Sequence, residues 1–246
     1  MRIEAPDPSA FPPGYRAAVF GASGGIGAAL LAQLRRQGGV AQAIGLARTA
    51  APGLDMTGVD VADEATISAA AARLAEDARP LRLVIVASGF LHDAQGGPEK
   101  SLRDLDPARL ARAFAVNAIG PALVLKHLAP LLPREGRSVF VALSARVGSI
   151  GDNGLGGWHG YRASKAALNQ LLRTAAVELK RTRPAAIVAS LHPGTVATSL
   201  SAPFAKAGLD VMTPDVSAAR LLSVTERLEP DDSGGFFDYR GAAIPW

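Results

Sequence analysis

A tyrosine and a lysine four residues apart are the residues of this sequence best suited to proton transfer. They occur in the segment Tyr161-Arg-Ala-Ser-Lys165, and this spacing places both side chains on one face of a helix. A free phenol has a pKa of about 10, and a neighbouring ammonium lowers that pKa by favouring the phenolate. Tyr161 is therefore a candidate general acid or base, although an ordinary surface pair on an amphipathic helix would show the same spacing.

Glycines in the segment Gly21-Ala-Ser-Gly-Gly-Ile-Gly27 are candidates for binding phosphate groups. A glycine turn between a strand and a helix lets backbone N–H groups and the helix N-terminus face a pyrophosphate, because no Cβ stands in the way. Gly21, Gly25 and Gly27 have the spacing Gly-x-x-x-Gly-x-Gly, for which a flexible turn is the alternative. Their position at the first strand–helix junction favours a dinucleotide site.

The end of the second predicted strand bears on which dinucleotide binds. An acidic residue there would accept hydrogen bonds from the adenosine ribose of NAD and repel the additional phosphate of NADP. The sequence has Gly45-Leu-Ala-Arg48-Thr49 instead, and an arginine can pair with a 2′-phosphate. We therefore predict NADP(H) as the preferred cofactor, with NAD(H) also allowed. A solvated Arg48 at the start of a loop is the alternative.

Short apolar runs alternate with amphipathic segments along the chain and must position these residues. The runs are Leu-rich or β-branched, as buried parallel strands are. Strands are predicted near 16–20, 43–47, 58–61, 83–87, 138–143, 186–191 and 236–239. Helices are predicted from the glycine loop to about 37, and at 64–76, 107–132 with an interruption near 120–121, 161–180 and 214–228. We expect an α/β fold, a Rossmann-type doubly wound parallel sheet of about seven strands with helices on both faces and ligands at the carboxyl ends of the strands.

Length and hydrophobicity indicate one folded unit. A chain of 246 residues of which 48% are hydrophobic fits a single α/β domain. We expect a flexible, Pro-rich lead at 1–14 and one NAD(P)-binding Rossmann domain at 15–246 that includes the substrate site. The lead lacks the apolar region of a signal peptide, and no apolar run approaches the roughly 18 residues that span a bilayer. We therefore expect a cytoplasmic protein without a membrane partner.

Composition argues against several other kinds of site. The sequence has no cysteine, which removes disulfides, thiolate nucleophiles and cysteine-containing metal sites. The spacing of His92, His127 and His192 does not suit metal ligands, so we expect no metal. The net charge of +4 comes from scattered arginines without a basic run, which argues against a nucleic-acid partner.

Taken together, the motifs resemble the short-chain dehydrogenase/reductase family over nearly the whole chain. Their order is Gly21-x-x-x-Gly25-x-Gly27, Asp60-Val61, Asn117 in Val-Asn-Ala, Ser144 at a strand end, Tyr161-x-x-x-Lys165 and Pro193-Gly194. The segment that begins at Ser144, the run from Tyr161 to Asn169 and the ending at Trp246 are similar to the C-factor-like branch, whose name refers to a cell-signalling protein.

The resemblance implies an NADP-dependent oxidoreductase that reduces a carbonyl of a small to medium-sized substrate or oxidises the corresponding alcohol. It implies that Tyr161 protonates the carbonyl oxygen, that Lys165 tunes Tyr161 and holds the nicotinamide ribose, and that Asn117 fixes a water in the proton relay. Ser144 would hydrogen-bond the carbonyl oxygen. The implied cofactor-binding residues are Gly21, Ser23, Gly25, Ile26, Gly27, Arg48, Asp60, Val61, Ser88, Gly89, Asn117, Tyr161, Lys165, Pro193, Gly194, Val196 and Thr198. The resemblance also implies a homodimer or homotetramer.

The chain departs from the family pattern near the expected site. Val86-Ala87-Ser88-Gly89 stands where the family has Asn-Asn-Ala-Gly, and Ser144-Ala145 stands where it has two serines. Ser149 is the alternative to Ser144, because it lies 12 residues before Tyr161, close to the usual spacing, whereas Ser144 lies 17 before it. The longer gap predicts a loop insertion, in which Trp158 and His159 either line the substrate pocket or pack against the loop. Residues 199–213 resemble the family's mobile substrate lid.

Two other functions are weighed against carbonyl reduction. An NADP-binding regulatory or cell-signalling protein with weak or no turnover is suggested by the C-factor resemblance and the displaced serine. A sugar-nucleotide epimerase of the same superfamily is disfavoured, because the roughly 50 residues after Thr195 leave little room for its larger substrate region.

Overall fold

A sheet of seven parallel strands forms the centre of the protein in the computed structural model, which describes residues 11–204 and 210–246. Its strands are β1 (Tyr15–Phe20), β2 (Val40–Ala47), β3 (Met56–Thr57), β4 (Leu81–Val86), β5 (Ser138–Leu143), β6 (Ala186–His192) and β9 (Phe236–Asp238), while β7 (Thr195–Val196) and β8 (Val211–Met212) form a separate parallel pair. The order in the large sheet is β3-β2-β1-β4-β5-β6-β9. Because the order reverses between β1 and β4, the predicted doubly wound sheet is confirmed, with its ligand-binding switch point at the carboxyl ends of these two strands.

Helices cover both faces of this sheet. They are α1 (Gly25–Leu34), α2 (Glu64–Ala75), α3 (Pro107–Phe114), α4 (Gly120–Leu128), α5 (His159–Leu179) and α6 (Pro214–Arg227). One hydrophobic cluster joins the sheet to α2, α4 and α5, and a second joins it to α1 and α6. Local signals set several helix starts, since Asp63, Asp106 and Thr213 each accept a backbone N–H of the first turn.

Several element boundaries differ from the predictions. The third strand is Met56–Thr57 and not 58–61, because Gly58 has a φ of +77° and turns the chain out of the extended conformation. Helix α1 ends at Leu34 and not near residue 37, and α5 begins at His159, two residues before Tyr161. The short strands β7 and β8 were not predicted, and two-residue strands carry too little periodicity to be recognised.

The helical segment that starts at Pro107 is interrupted earlier than predicted. A π-turn spans Ala115–Ile119, and the Gly120 N–H bonds to the Ala115 carbonyl, five residues back. Pro121 has no N–H to donate to the Asn117 carbonyl four residues before it, which favours the wider turn just ahead of the proline. The interruption therefore contains Asn117, one of the predicted site residues.

One stretch of the described residues, Pro107–Leu131, is long and apolar enough to cross a membrane by length and composition. The same test is passed by core helices of proteins outside membranes. Ala118, Val124, Leu125 and Leu128 of this stretch lie in the cluster between the sheet and α2 and α5, which explains its apolar character by packing.

Two predicted flexible segments are only partly described. Residues 1–10 of the predicted lead at 1–14 lie outside the described residues, but Phe11 stacks on Tyr15 and the Gly14 N–H bonds to Gly39. Contacts with the domain thus begin before the predicted boundary at residue 15. Of the predicted lid at 199–213, residues 205–209 lie outside the described residues, and β8 lies at its end.

Candidate active site

At two positions where β1 leads into α1, only glycine fits. Gly21 has a φ of +78°, and a Cβ there would lie 2.7 Å from the Ser88 backbone nitrogen. A Cβ on Gly27 would overlap the Gly21 carbonyl oxygen. Gly24 caps α1 without a side-chain hydrogen bond, and no acidic residue stands in the first turn. Within the described part of the chain, the first turn of α1 thus has no side-chain cap and no acidic residue, which leaves its N–H groups suited to an anionic group.

A cavity of about 360 Å³ opens over this turn at the switch point of the sheet. Eleven of the predicted cofactor-binding residues line it together: Gly21, Ser23, Gly25, Ile26, Gly27, Arg48, Asp60, Val61, Ser88, Gly89 and Thr198. The Ser88 hydroxyl is buried and has no hydrogen-bond partner among the described residues. A buried hydroxyl left unpaired is costly unless a ligand or water completes it, so Ser88 fits a site that binds a polar group.

Arg48 stands at the mouth of this cavity. Its side chain is 64% exposed, and its Nη1 lies 3.7 Å from Asp60 Oδ2. The other Asp60 oxygen accepts the Ala62 N–H. Arg48 and the neighbouring Thr49 both line the cavity. Because the Arg48 side chain is exposed and its contact with Asp60 is long, the guanidinium can turn to a bound anion without breaking a buried ion pair.

Tyr161 and Lys165 lie on the first turns of α5. The Lys165 Nζ donates to the Leu143 carbonyl at 2.7 Å and lies 5.8 Å from the centre of the Tyr161 ring. Burial lowers the pKa of Lys165 to about 7 and raises the pKa of Tyr161 to about 12. The predicted lowering of the Tyr161 pKa is therefore wrong for the protein alone, because removing the phenolate from water raises that pKa. Tyr161 stays protonated at neutral pH.

Asn117 ties α5 to the loop after β4. Its Nδ2 donates to the Phe90 carbonyl at 2.8 Å and to Ser164 Oγ at 3.0 Å, and its Oδ1 accepts the Phe90 N–H at 2.7 Å. Ser164 Oγ in turn donates to the Tyr161 carbonyl. A Cβ on Gly89, which lines the cavity, would lie 3.8 Å from Asn117 Oδ1. These contacts link the cavity to the start of α5.

Ser144 and Ser149 differ in what their hydroxyls do. Ser144 directly follows β5, is 3% exposed, and its hydroxyl has no hydrogen-bond partner among the described residues. Ser149 is also buried, but its hydroxyl accepts the Asp152 N–H at 3.1 Å and so stabilises the loop. Ala145 is buried without a polar group to offer. Of the two candidates, Ser144 is the one whose hydroxyl has no hydrogen-bond partner among the described residues, and its choice over Ser149 stays a prediction.

The segment after β6 is held in a fixed path. Gly194 has a φ of +81°, the Pro193 carbonyl accepts from Ser217 Oγ, and the Val196 carbonyl accepts from Ser201 Oγ. Val196 pairs with Met212 in the small sheet and is buried. Of the predicted residues here, Thr198 lines the cavity, whereas binding by Pro193, Gly194 and Val196 stays a prediction.

The histidines are spread over the molecule. The His127 Nε2 lies 2.9 Å from a Glu64 oxygen, and His192 is packed against Tyr239. His92 lines the cavity, which the sequence did not indicate. Within residues 11–204 and 210–246, no three His, Asp or Glu side chains are grouped as metal ligands, and the prediction of no metal stays a prediction.

Sequence reasoning also missed Glu99, which supports the start of α5. This carboxylate is 6% exposed, and its Oε2 accepts the Gly160 N–H at 3.1 Å. Trp158, the residue before α5, offers no side-chain cap, so Glu99 supplies the negative charge that a helix start favours. It lies 61 residues from Gly160, and no local pattern signals such a distant cap.

Comparison with known proteins places these features in a family. A family model described as enoyl-(acyl carrier protein) reductase matches residues 21–226. A 1-hydroxy-2-glutathionyl-2-methyl-3-butene dehydrogenase from Rhodococcus sp. (strain AD45) is 34% identical over 232 residues, which cover 93% of this chain and 98% of that protein. C-signal from Myxococcus xanthus is 41% identical over 148 residues, or 59% of this chain and 84% of C-signal.

A solved structure has the same fold over nearly the whole chain. It is the NADPH-bound carbonyl reductase from chicken fatty liver, which superposes with a TM-score of 0.84 at 25% identity. The match covers 96% of this chain and all of that one.

Proposed function

The chain belongs to the short-chain dehydrogenase/reductase family of oxidoreductases, and from this we propose that it is an NADPH-dependent carbonyl reductase in which Tyr161 is the general acid. The observation that carries the proposal is the placement of Tyr161 on α5 with the Lys165 Nζ 5.8 Å from its ring centre, where Lys165 donates to the Leu143 carbonyl at the carboxyl end of β5. The Asn117 contacts connect this pair to the glycine-lined cavity. The NADPH-bound carbonyl reductase with the same fold supports the proposal.

The residues of the cavity fit a dinucleotide phosphate. The glycine turn would hold the pyrophosphate at the start of α1, Arg48 would pair with the 2′-phosphate, and Ser88 would use its unpaired hydroxyl. When bound, the nicotinamide cofactor supplies the hydride. Lys165 would hold the nicotinamide ribose through its ammonium.

Three side chains of this protein would act on the substrate carbonyl. Ser144 donates a hydrogen bond to the carbonyl oxygen and stabilises the negative charge that develops there. Tyr161 donates its proton to the same oxygen. Lys165 offsets the phenolate left on Tyr161 and thus lowers the cost of the transfer.

Asn117 would replenish the proton. Because Pro121 has no N–H, the Asn117 carbonyl lacks the donor that an α-helix would give it. The family resemblance implies that Asn117 holds a water of the proton relay, and this carbonyl is the group that we assign to that water. We propose this water as the route by which Tyr161 regains its proton.

The function is tested by following NADPH absorbance with a panel of aldehydes, ketones and quinones. We expect the purified protein to consume NADPH with at least one of them. A protein that binds NADPH but reduces no member of the panel would favour the regulatory alternative, which the similarity to C-signal raises. The homodimer or homotetramer and the cytoplasmic location stay predictions.

Replacing Arg48 with aspartate is expected to reverse the cofactor preference. The change removes the partner of the 2′-phosphate and adds a charge that repels it, so we expect the Kd for NADPH to rise by roughly 100-fold and the Kd for NADH to change little. The matched control is Arg36→Asp, which makes the same charge change at an exposed arginine outside the cavity. Equal effects of Arg48→Asp on both cofactors would rule out this role.

Ser144 and Ser149 are separated by their alanine variants. We expect Ser144→Ala to lower kcat by roughly 100-fold, as the loss of one donor to a developing oxyanion does. Ser149→Ala removes only an acceptor for the Asp152 N–H, so we expect a lower Tm with kcat nearly unchanged. Steady-state kinetics and thermal unfolding of both variants measure the difference, and the reverse pattern would assign the role to Ser149.

A further inference from the structure

Trp158 adopts a backbone conformation that its residue type disfavours. Gly156 and Gly157 have φ of +65°, and Trp158 follows them with a φ of +54°. Among the described residues, Trp158 is the only non-glycine residue with positive φ. Such strain persists only where surrounding contacts impose it, and it is concentrated at functional sites.

Dedicated contacts hold this left-handed turn in place. The Trp158 N–H donates to the Glu99 carbonyl, and the Glu99 carboxylate accepts the N–H of Gly160. Arg162 donates to the carbonyls of Gly156 and Gly157. The backbone on both sides of Trp158 is thus fixed by polar groups from two other parts of the chain.

The strained turn places the indole between Tyr161 and the segment that follows β7. The centre of the Trp158 ring lies 6.2 Å from that of Tyr161 and 5.2 Å from that of Phe204, both edge to face. Trp158 and Phe204 line a cavity of about 790 Å³ together with Pro98 and Pro203. The same cavity shares Pro98 and Glu99 with the narrow gap that Tyr161 lines.

The lining of this cavity combines the rings of Trp158, Phe204, Pro98 and Pro203 with the charged side chains of Glu99, Lys100, Asp104 and Arg109. Its volume is in the range of pockets that enclose small organic molecules. Aromatic faces and edges bind another aromatic ring more strongly than an alkyl group of equal area, because their quadrupoles are complementary. A substrate with a ring next to its carbonyl would therefore fit with the carbonyl toward Tyr161 and the ring toward Trp158 and Phe204.

We propose that Trp158 and Phe204 form an aromatic subsite that selects carbonyl substrates bearing an aromatic ring next to the reacting carbon. The inference rests on the proposed carbonyl reduction for its kinetic test, but binding of the ring can be measured without turnover.

The kinetic test compares benzaldehyde with cyclohexanecarbaldehyde, which has the same number of carbon atoms. For each protein, the ratio of kcat/KM for the two aldehydes is measured, and dividing the native ratio by the variant ratio cancels their intrinsic reactivities. We expect the ratio of kcat/KM for benzaldehyde to that for cyclohexanecarbaldehyde to be about two- to tenfold lower in Trp158→Leu and in Phe204→Leu than in the native protein. Phe204 has no positive φ, so the second variant keeps the test valid should Trp158→Leu fail to fold. The control is Trp246→Phe, which changes the other tryptophan of the chain and should keep the native ratio.

The binding test uses fluorescence in a variant that does not turn over. Trp246→Phe leaves Trp158 as the only tryptophan, and Tyr161→Phe is added to stop the reaction. We expect acetophenone to change the Trp158 emission with a saturable dependence on concentration. At the same concentration, we expect cyclohexyl methyl ketone to give an emission change at least about tenfold smaller.

The outcomes separate the two claims. Saturable binding of acetophenone without reduction of any carbonyl by the native protein would overturn the proposed function and support the subsite. Reduction of both aldehydes with a ratio that is the same in native protein, Trp158→Leu and Phe204→Leu would support the function and overturn the subsite. Equal or absent emission changes with the two ketones would overturn the subsite as well.

Discussion

Replacing Tyr161 with phenylalanine is expected to lower kcat for carbonyl reduction by roughly 10³-fold, the scale of one positioned general acid. The hydroxyl is the only group of Tyr161 that the change removes. The ring keeps its edge-to-face contact with Trp158 and its contact with the Lys165 ammonium, and the backbone carbonyl still accepts from Ser164. We therefore expect the Tm and the Kd for NADPH to stay close to the native values. Steady-state kinetics measure kcat, thermal unfolding measures the Tm, and a fluorescence titration with NADPH measures the Kd.

The matched control is Tyr15→Phe. Tyr15 is buried at the amino end of β1, the edge of the sheet opposite the cavity, and stacks on Phe11. Removing the hydroxyl of Tyr15 should leave kcat unchanged. If Tyr161→Phe also kept more than about a tenth of native kcat, proton donation by Tyr161 would be refuted.

Adding one methyl group at Gly27 is expected to remove NADPH binding. A Cβ there would lie 2.9 Å from the Gly21 carbonyl carbon and 3.0 Å from the Ala22 Cα. These are backbone atoms, so the glycine turn and the start of α1 must separate to make room. Overpacking of this kind costs about 3 kcal/mol at the upper end of its range, which for a chain of this size corresponds to a fall in Tm of roughly 6–12 °C. We expect the Kd for NADPH to rise by at least about 100-fold, since the displaced N–H groups no longer converge on one anion.

Gly38→Ala provides the control in the segment that follows α1. Gly38 lies just after α1, has no heavy atom within 4 Å of a built Cβ, and does not have a positive φ. We expect its Tm and NADPH affinity to match those of the native protein. NADPH affinity that is equal in Gly27→Ala and Gly38→Ala would contradict the placement of the phosphates at this turn.

The sequence was sufficient for the fold because the fold depends on repeated, local signals. Apolar runs mark β1, β4, β5 and β6 within about two residues, and the glycine turn marks the first crossover. The third strand was misplaced, since only Met56 and Thr57 pair and the residues that follow are apolar without lying in the sheet. The π-turn at Asn117 depends on Pro121, whose effect was placed at the proline instead of four residues before it.

Site residues that lie in sequence motifs could be predicted, whereas residues that contact the site from distant parts of the sequence could not. Eleven predicted cofactor residues line one cavity, and Tyr161 and Lys165 lie together as their spacing indicates. That Ser149 accepts the Asp152 N–H while the Ser144 hydroxyl has no partner among the described residues could be seen only in the structure. Glu99 and Phe204 reach α5 only through folding, and the raised pKa of Tyr161 reflects burial that no spacing reveals.

Transfer of deuterium from labelled NADPH to a carbonyl carbon tests the central claim most directly. The protein would be incubated with NADPH that carries deuterium at C4 of the nicotinamide and with each carbonyl compound of the panel, and the products would be analysed by mass spectrometry. The account predicts an alcohol with one deuterium on the former carbonyl carbon, formed by the native protein and by Tyr15→Phe but not by Tyr161→Phe. A protein that binds NADPH and yields no labelled alcohol from any compound of the panel would contradict it.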